Sequence, residues 1–190
     1  MIEVAFEQDG LRFTRYPFDG ASVHPRGFVP RRAIRDVDPE ADPPEVRLRA
    51  GETLFLASRD AEALRRYAAQ HSIRRCPRVD VWALLLEPFL DTDSTEAAEA
   101  RTLAQLAALG IARARVEDVR ARVERSMLRY NAASWNWTRL GLADLLRAQQ
   151  AERWLAWIPS VRRRRRAFYV EAMALAELGR GVVAVREAAS

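Results

Sequence analysis

Five consecutive arginines, Arg162-Arg163-Arg164-Arg165-Arg166, follow Trp157-Ile158-Pro159-Ser160 and form the densest block of like charge in the sequence. Their chemistry is anion binding. At about 100° per residue, five neighbours wrap the whole circumference of a helix, so they cannot share one solvated face. Arg164 and Arg165 stand four and three residues before Phe168, on the face that Phe168, Ala172 and Leu175 are expected to bury. Pro159 places the block in the first turn or two of a helix, where the dipole disfavours cations and free N–H groups attract anions. Either this turn projects beyond the core, or something acidic covers it. One acidic partner is internal: Asp80 to Glu99 holds six acids and no arginine, a local charge of −6. Between Arg113 and Arg166, fourteen arginines face five acids, a local charge of +9. The other partner is external, since nucleic acid, anionic lipid or a phosphorylated ligand would each respond to such a patch. The plainer expectation is a solvated or salt-bridged face.

A second string, Phe89-Leu90-Asp91-Thr92-Asp93-Ser94-Thr95, is an apolar run followed by Asp-x-Asp-x-Thr. It resembles the way haloacid-dehalogenase-type phosphatases present a nucleophile, an acid and a magnesium ligand, which would make Asp91 and Asp93 the centre of a metal-dependent hydrolase. That family sets the motif at the tip of a parallel strand, whereas Glu87-Pro88 interrupts the strand here. An acidic, hydroxyl-rich helix start that complements the dipole is the simpler reading. His24 and His71 are the two histidines, neither with a ligand partner at metal-site spacing, and His71 could meet Cys76 only across a helix end and a loop. The 31 basic residues are all arginine, which excludes a Walker phosphate loop and Schiff-base chemistry, both of which need lysine. No Gly-x-Ser-x-Gly elbow and no glycine-rich phosphate cradle occur. No cofactor is expected.

Leu103 to Ile111, turning at Gly110 and followed by Val116 and Val119, has the cadence of a helix-turn-helix spanning residues 103–123. Leu106 occupies the position four before the glycine where a small residue is usual, and Glu117-Asp118 would repel phosphates near the start of the recognition helix. A plain helical hairpin explains the same glycine. Tyr130, Trp135, Trp137, Trp154, Trp157, Phe168 and Tyr169 are interleaved with arginine, as in single-strand stacking surfaces, although core packing is the better reading for most of them. Trp135 and Trp137 point about 200° apart on a helix, so burying both needs two neighbours. They are therefore candidate interface residues.

The elements that must position these side chains change character along the chain. Ile2 to Phe6 and Leu11 to Tyr16 alternate with period two around Asp9-Gly10, which predicts a β-hairpin. Gly27-Phe28-Val29 predicts a third strand, continuing past Pro30 toward Val37, and Val46 to Leu48 with Leu54 to Leu56 predicts a second hairpin. Ser58 or Asp60 caps a helix carrying Leu64, Tyr67 and Ala68 on one face. From Val79 the period is helical: a short buried helix at Val81 to Leu86, a helix ending at Leu109-Gly110, and an amphipathic helix with Val116, Val119, Val123, Met127 and Tyr130 on one stripe. Further helices are predicted over Trp135 to Gln149, Ala151 to Trp157 and Val161 to Leu178. Phe28 to Val37, the Val46 to Leu56 hairpin and the helix from Asp60 to His71 faintly resemble bacterial pleckstrin-homology-like domains, over residues 2–71. That resemblance implies a binding or assembly module rather than a catalyst.

With 190 residues, 49% of them apolar, and 30% charged, the chain is expected to fold. The expected class is α+β: a small antiparallel β unit closed by one helix over residues 1–76, then a helical region over 77–190. A lone cysteine, the absence of a signal-like start and the lack of an 18-residue apolar run predict a cytoplasmic protein without a transmembrane segment. The leading functional expectation is a non-enzymatic protein-interaction or regulatory module, with a protein partner or self-association. Nucleic-acid binding through the arginine-rich helices is the alternative.

Overall fold

A computed structural model of the chain describes residues 1–90, 95–134, 140–150 and 159–180. Among the described residues, two three-stranded antiparallel sheets and six α-helices give an α+β fold with a helical C-terminal half. Its contacts divide into two units, Met1–Pro77 with Arg153–Ala174, and Arg78–Glu152 with Leu175–Ser190.

In the first unit, β1 (Glu3–Glu7) and β2 (Gly10–Arg15) form the predicted hairpin, and β3 (Gly27–Pro30) pairs with β2. Gly10 is the first residue of β2 rather than part of the turn. A Cβ there would lie 2.1 Å from the Val29 carbonyl oxygen, so glycine is needed for close approach of the strands. The strand expected to run on to Val37 is broken by a 3-10 turn at Arg31–Ala33. Beyond it, β4 (Ile34–Asp38), β5 (Glu45–Leu48) and β6 (Thr53–Phe55) build a separate sheet in that order. Pro30 brings no N–H to a longer ladder, and the chain turns where the donor is missing.

Leu11, Phe13, Val37, Val46 and Leu54 are fully buried, and α1 (Ala61–Gln70) adds Leu64, Tyr67 and Ala68. Phe13, Tyr16, Phe18 and Phe55 stack edge-on in a row with centroids 5.2, 5.4 and 5.9 Å apart. The Tyr16 hydroxyl accepts the Phe55 N–H at 3.0 Å. After α1 the chain returns beside β4: Val37 N–H donates to the Arg74 carbonyl at 3.0 Å and Cys76 N–H to the Val37 carbonyl at 2.9 Å. Arg47, 2% exposed, donates to Asp36, to Glu45 at 3.4 Å and to the Cys76 carbonyl. A buried guanidinium is tolerable because its donors are engaged in this way.

The second unit begins with α2 (Val81–Leu86), whose N-terminus is capped by Asp80 accepting from Trp82 N–H at 3.1 Å and Ala83 N–H at 3.2 Å. A 3-10 turn at Glu87–Phe89 around Pro88 follows it. α3 (Glu96–Ala108) closes at Gly110, φ +82°, where Ile111 N–H reaches the Leu106 carbonyl at 3.0 Å and Gly110 N–H the Ala107 carbonyl at 2.9 Å. α4 (Arg113–Ser134) buries the predicted stripe of Val116, Val119, Val123 and Met127. α5 (Leu142–Ala148) starts later than the helix expected from Trp135, because Gly141 is extended and its N–H donates at 3.0 Å to the Asp144 carboxylate in the next turn. α6 (Pro159–Leu178) belongs to the first unit through Ala174 and to the second beyond it. No helix among the described residues is long and apolar enough to cross a membrane.

Candidate anion-binding cleft

Sequence decides which arginines of α6 face inward. Tyr169, Ala172 and Met173 are buried, and the line they define on the helix passes through Arg165. The Tyr169 hydroxyl donates to Glu52 at 2.8 Å, and the Met173 sulfur accepts the Thr53 N–H at 3.3 Å. Arg165 is 14% exposed and pairs with Asp19 at 3.1 Å. Arg162, Arg163, Arg164 and Arg166 are exposed. The expectation that Arg164 would share the buried face is corrected: that face is centred on Arg165 and Tyr169, not on the half-buried Phe168, and Arg164 lies about 100° off it.

Opposite this stretch of α6 runs the loop from Pro17 to Arg26, which carries a cis His24-Pro25 bond. Asp19 holds Arg165 with one carboxylate oxygen, while the other lies 3.1 Å from His24 Nε2. His24 Nδ1 is 2.9 Å from the Tyr16 carbonyl and donates to it, so the Nε2 contact with Asp19 is an ion pair only when the ring carries a proton on both nitrogens. Gly20 has φ +97°, and a Cβ there would meet Tyr169 Cβ at 3.0 Å, so the loop backbone lies directly on the helix. Ser22 gives its N–H at 2.9 Å and its hydroxyl at 2.5 Å to Glu52, the carboxylate that also accepts from Tyr169. Glu52, in the β5–β6 turn, thus gathers three uncharged donors and ties loop, sheet and helix together. Burial, and secondarily the neighbouring Tyr16 and Glu52, pushes the Tyr169 phenol far above the usual tyrosine range.

Between loop and helix lies a cleft of about 730 Å³, walled by Asp19–Ser22 and His24 on one side and by Arg162, Arg163 and Arg166 on the other. Asp19 is committed to Arg165 and His24. Among the described residues, Arg162, Arg163 and Arg166 have no carboxylate partner, so three positive charges meet at the cleft. Among the described residues no Trp, Tyr or Phe lines it. Of the five arginines singled out by sequence, three therefore line one cleft, Arg165 anchors the helix, and Arg164 lies elsewhere.

Within the acidic segment, the described contacts are local to the second unit. Asp80 caps α2, Glu87 accepts from the Thr102 hydroxyl, and Glu99 pairs with Arg120 at 2.5 Å. On α4, Arg113 pairs with Glu117 at 2.9 Å, Arg115 with Asp118 at 3.0 Å, and Arg122 with Asp118 at 3.5 Å. Asp91, Asp93, Trp135 and Trp137 lie outside the described residues. His71 accepts from Arg31 at 2.7 Å and stacks on Tyr67 at 4.5 Å, with no hydrogen bond to Cys76. No group of three potential metal-binding side chains occurs among the described residues.

The loop half of the cleft escaped sequence reasoning. Asp19-Gly20 between Pro17 and Pro25 was a visible turn signal, but nothing local connects it with an arginine 146 residues later. No family model, curated protein or solved structure matches the chain.

Proposed function

We propose that the chain is a non-enzymatic binding module that receives an acidic segment of a partner protein in the α6 cleft. One observation carries this reading: Arg162, Arg163 and Arg166 line a single cleft without carboxylate partners among the described residues, on a helix fixed from behind by Arg165 and Tyr169. Guanidinium stays charged at every physiological pH and presents rigid forks of donors, so it suits recognition and not proton transfer. Asp19, the one carboxylate among the described residues of the cleft, already pairs with Arg165 and has its other oxygen 3.1 Å from His24 Nε2. The resemblance of residues 2–71 to pleckstrin-homology-like domains agrees with a binding role.

Nucleic-acid binding is a weaker second reading, favoured by the glycine turn between α3 and α4. The acids at i+3 and i+4 on α4 weigh against it, since they neutralise the arginines a phosphate backbone would need. The test is titration of the full chain with a glutamate-rich peptide at low salt. Binding is expected to weaken as salt rises and to fall by about tenfold or more in the Arg162→Gln/Arg166→Gln double variant. Equal affinity of wild type and double variant, at matched circular dichroism, would sink the proposal.

A further inference from the structure

The charge pattern of the cleft selects among anions. Arg162 and Arg166 are four residues apart on α6 and Arg163 and Arg166 three apart, so the middle guanidinium is flanked by two others. Like charges at these spacings repel, and at Arg162, close to the start of α6, the helix dipole adds to the cost. A single carboxylate offers one charge and two oxygens against this set. A phosphomonoester offers about −1.5 to −2 charges and three acceptor oxygens, enough to give each guanidinium a partner.

The surroundings narrow the source. Val170, one turn beyond Arg166 on the same side of α6, is 59% exposed, an apolar contact next to the cationic cleft. Among the described residues no Trp, Tyr or Phe lines the cleft, so these residues offer bases no aromatic stacking platform.

We infer that the cleft binds a phosphorylated side chain of a partner protein, with Arg162, Arg163 and Arg166 holding the phosphoryl oxygens and Val170 meeting an apolar residue next to it. The inference rests on the acidic-partner reading above and specifies its ligand. The experiment compares four probes on the full chain by fluorescence anisotropy or calorimetry: a short peptide with phosphoserine followed by leucine, the same peptide with glutamate for phosphoserine, inorganic phosphate, and a single-stranded oligonucleotide. The phosphopeptide is expected to bind about tenfold or more tighter than the glutamate peptide, and inorganic phosphate to compete with it weakly. Arg163→Gln and Arg166→Gln should each weaken phosphopeptide binding by about tenfold, while Arg164→Gln, in the same run but outside the cleft, stays within about twofold. Equal affinity for the phosphoserine and glutamate peptides would overturn the phosphoryl inference and leave the acidic-partner reading standing. Binding of neither peptide would overturn both. Inorganic phosphate matching the phosphopeptide would assign the cleft to a free phosphate instead, and a tighter oligonucleotide would assign it to nucleic acid. Circular dichroism of each variant separates lost binding from lost fold.

Discussion

Two helices of this protein are rich in arginine and use it in opposite ways. On α4, each of Arg113, Arg115 and Arg122 finds an acid three or four residues away on its own helix, and Arg120 finds Glu99 on α3. On α6, the residues at those spacings from Arg162, Arg163 and Arg166 are Pro159, Ser160, other arginines, Ala167, Tyr169 and Val170. Positive charge in a sequence is therefore a poor guide to positive charge on a surface. What matters is whether a carboxylate occupies the i+3 or i+4 position, or is delivered by the fold as Asp19 is to Arg165.

The largest expected effect separates the core-packing helix from the one proposed to bind. Met127→Ala removes a side chain with no exposure from the buried stripe of α4 and should destabilise the protein by about 2–5 kcal/mol in urea, with anion binding by the folded fraction unchanged. A loss of affinity in that fraction would break the distinction between the helices. Next is Gly20→Ala, which forces a side chain into φ +97° and against Tyr169 and should cost about 1–3 kcal/mol while loosening the cleft wall. An unchanged urea midpoint would show that the loop does not need this approach.

Tyr169→Phe removes one donor from Glu52 and should cost about 1 kcal/mol near neutral pH. It also changes the alkaline limb of stability. Because burial raises the Tyr169 pKa in the folded state, its contribution is complete below the ordinary value of 10.0 and is lost as pH rises above it, where the unfolded phenol ionises first. Wild type should therefore lose stability between pH 9 and 11 more steeply than Tyr169→Phe, as followed by urea midpoints; parallel curves would contradict this. The smallest effect reverses the comparison: Glu117→Gln with Asp118→Asn removes three ion pairs on α4. Exposed pairs of this kind contribute little, so stability should change by less than about 1 kcal/mol, yet heparin retention should rise. Unchanged retention would mean that those acids do not mask α4.

Much of the fold was legible because it is local. The β1–β2 hairpin, the β5–β6 hairpin and the α4 stripe follow from period two or from spacings of three and four. Gly110 ended α3 as a left-handed glycine should. The break of β3 at Pro30 and the late start of α5 were not read, because one depends on which sheet takes the chain next and the other on Asp144 reaching back to Gly141. The cleft was half legible. Its arginines stand out in sequence, but the split between Arg165, bound to Asp19, and its neighbours is set by a contact across 146 residues. Arg47, which looks like any strand arginine, is fully engaged in the core for the same reason.

The most direct measurement is an arginine-by-arginine scan of the run, Arg162 to Arg166 each changed singly to Gln, reading stability by urea and affinity by phosphopeptide titration. The cleft predicts affinity losses of about tenfold at positions 162, 163 and 166 with little change in stability, a stability loss at 165, and neither at 164. Equal affinity losses at all five positions would mean that only bulk charge matters, and would contradict a built site.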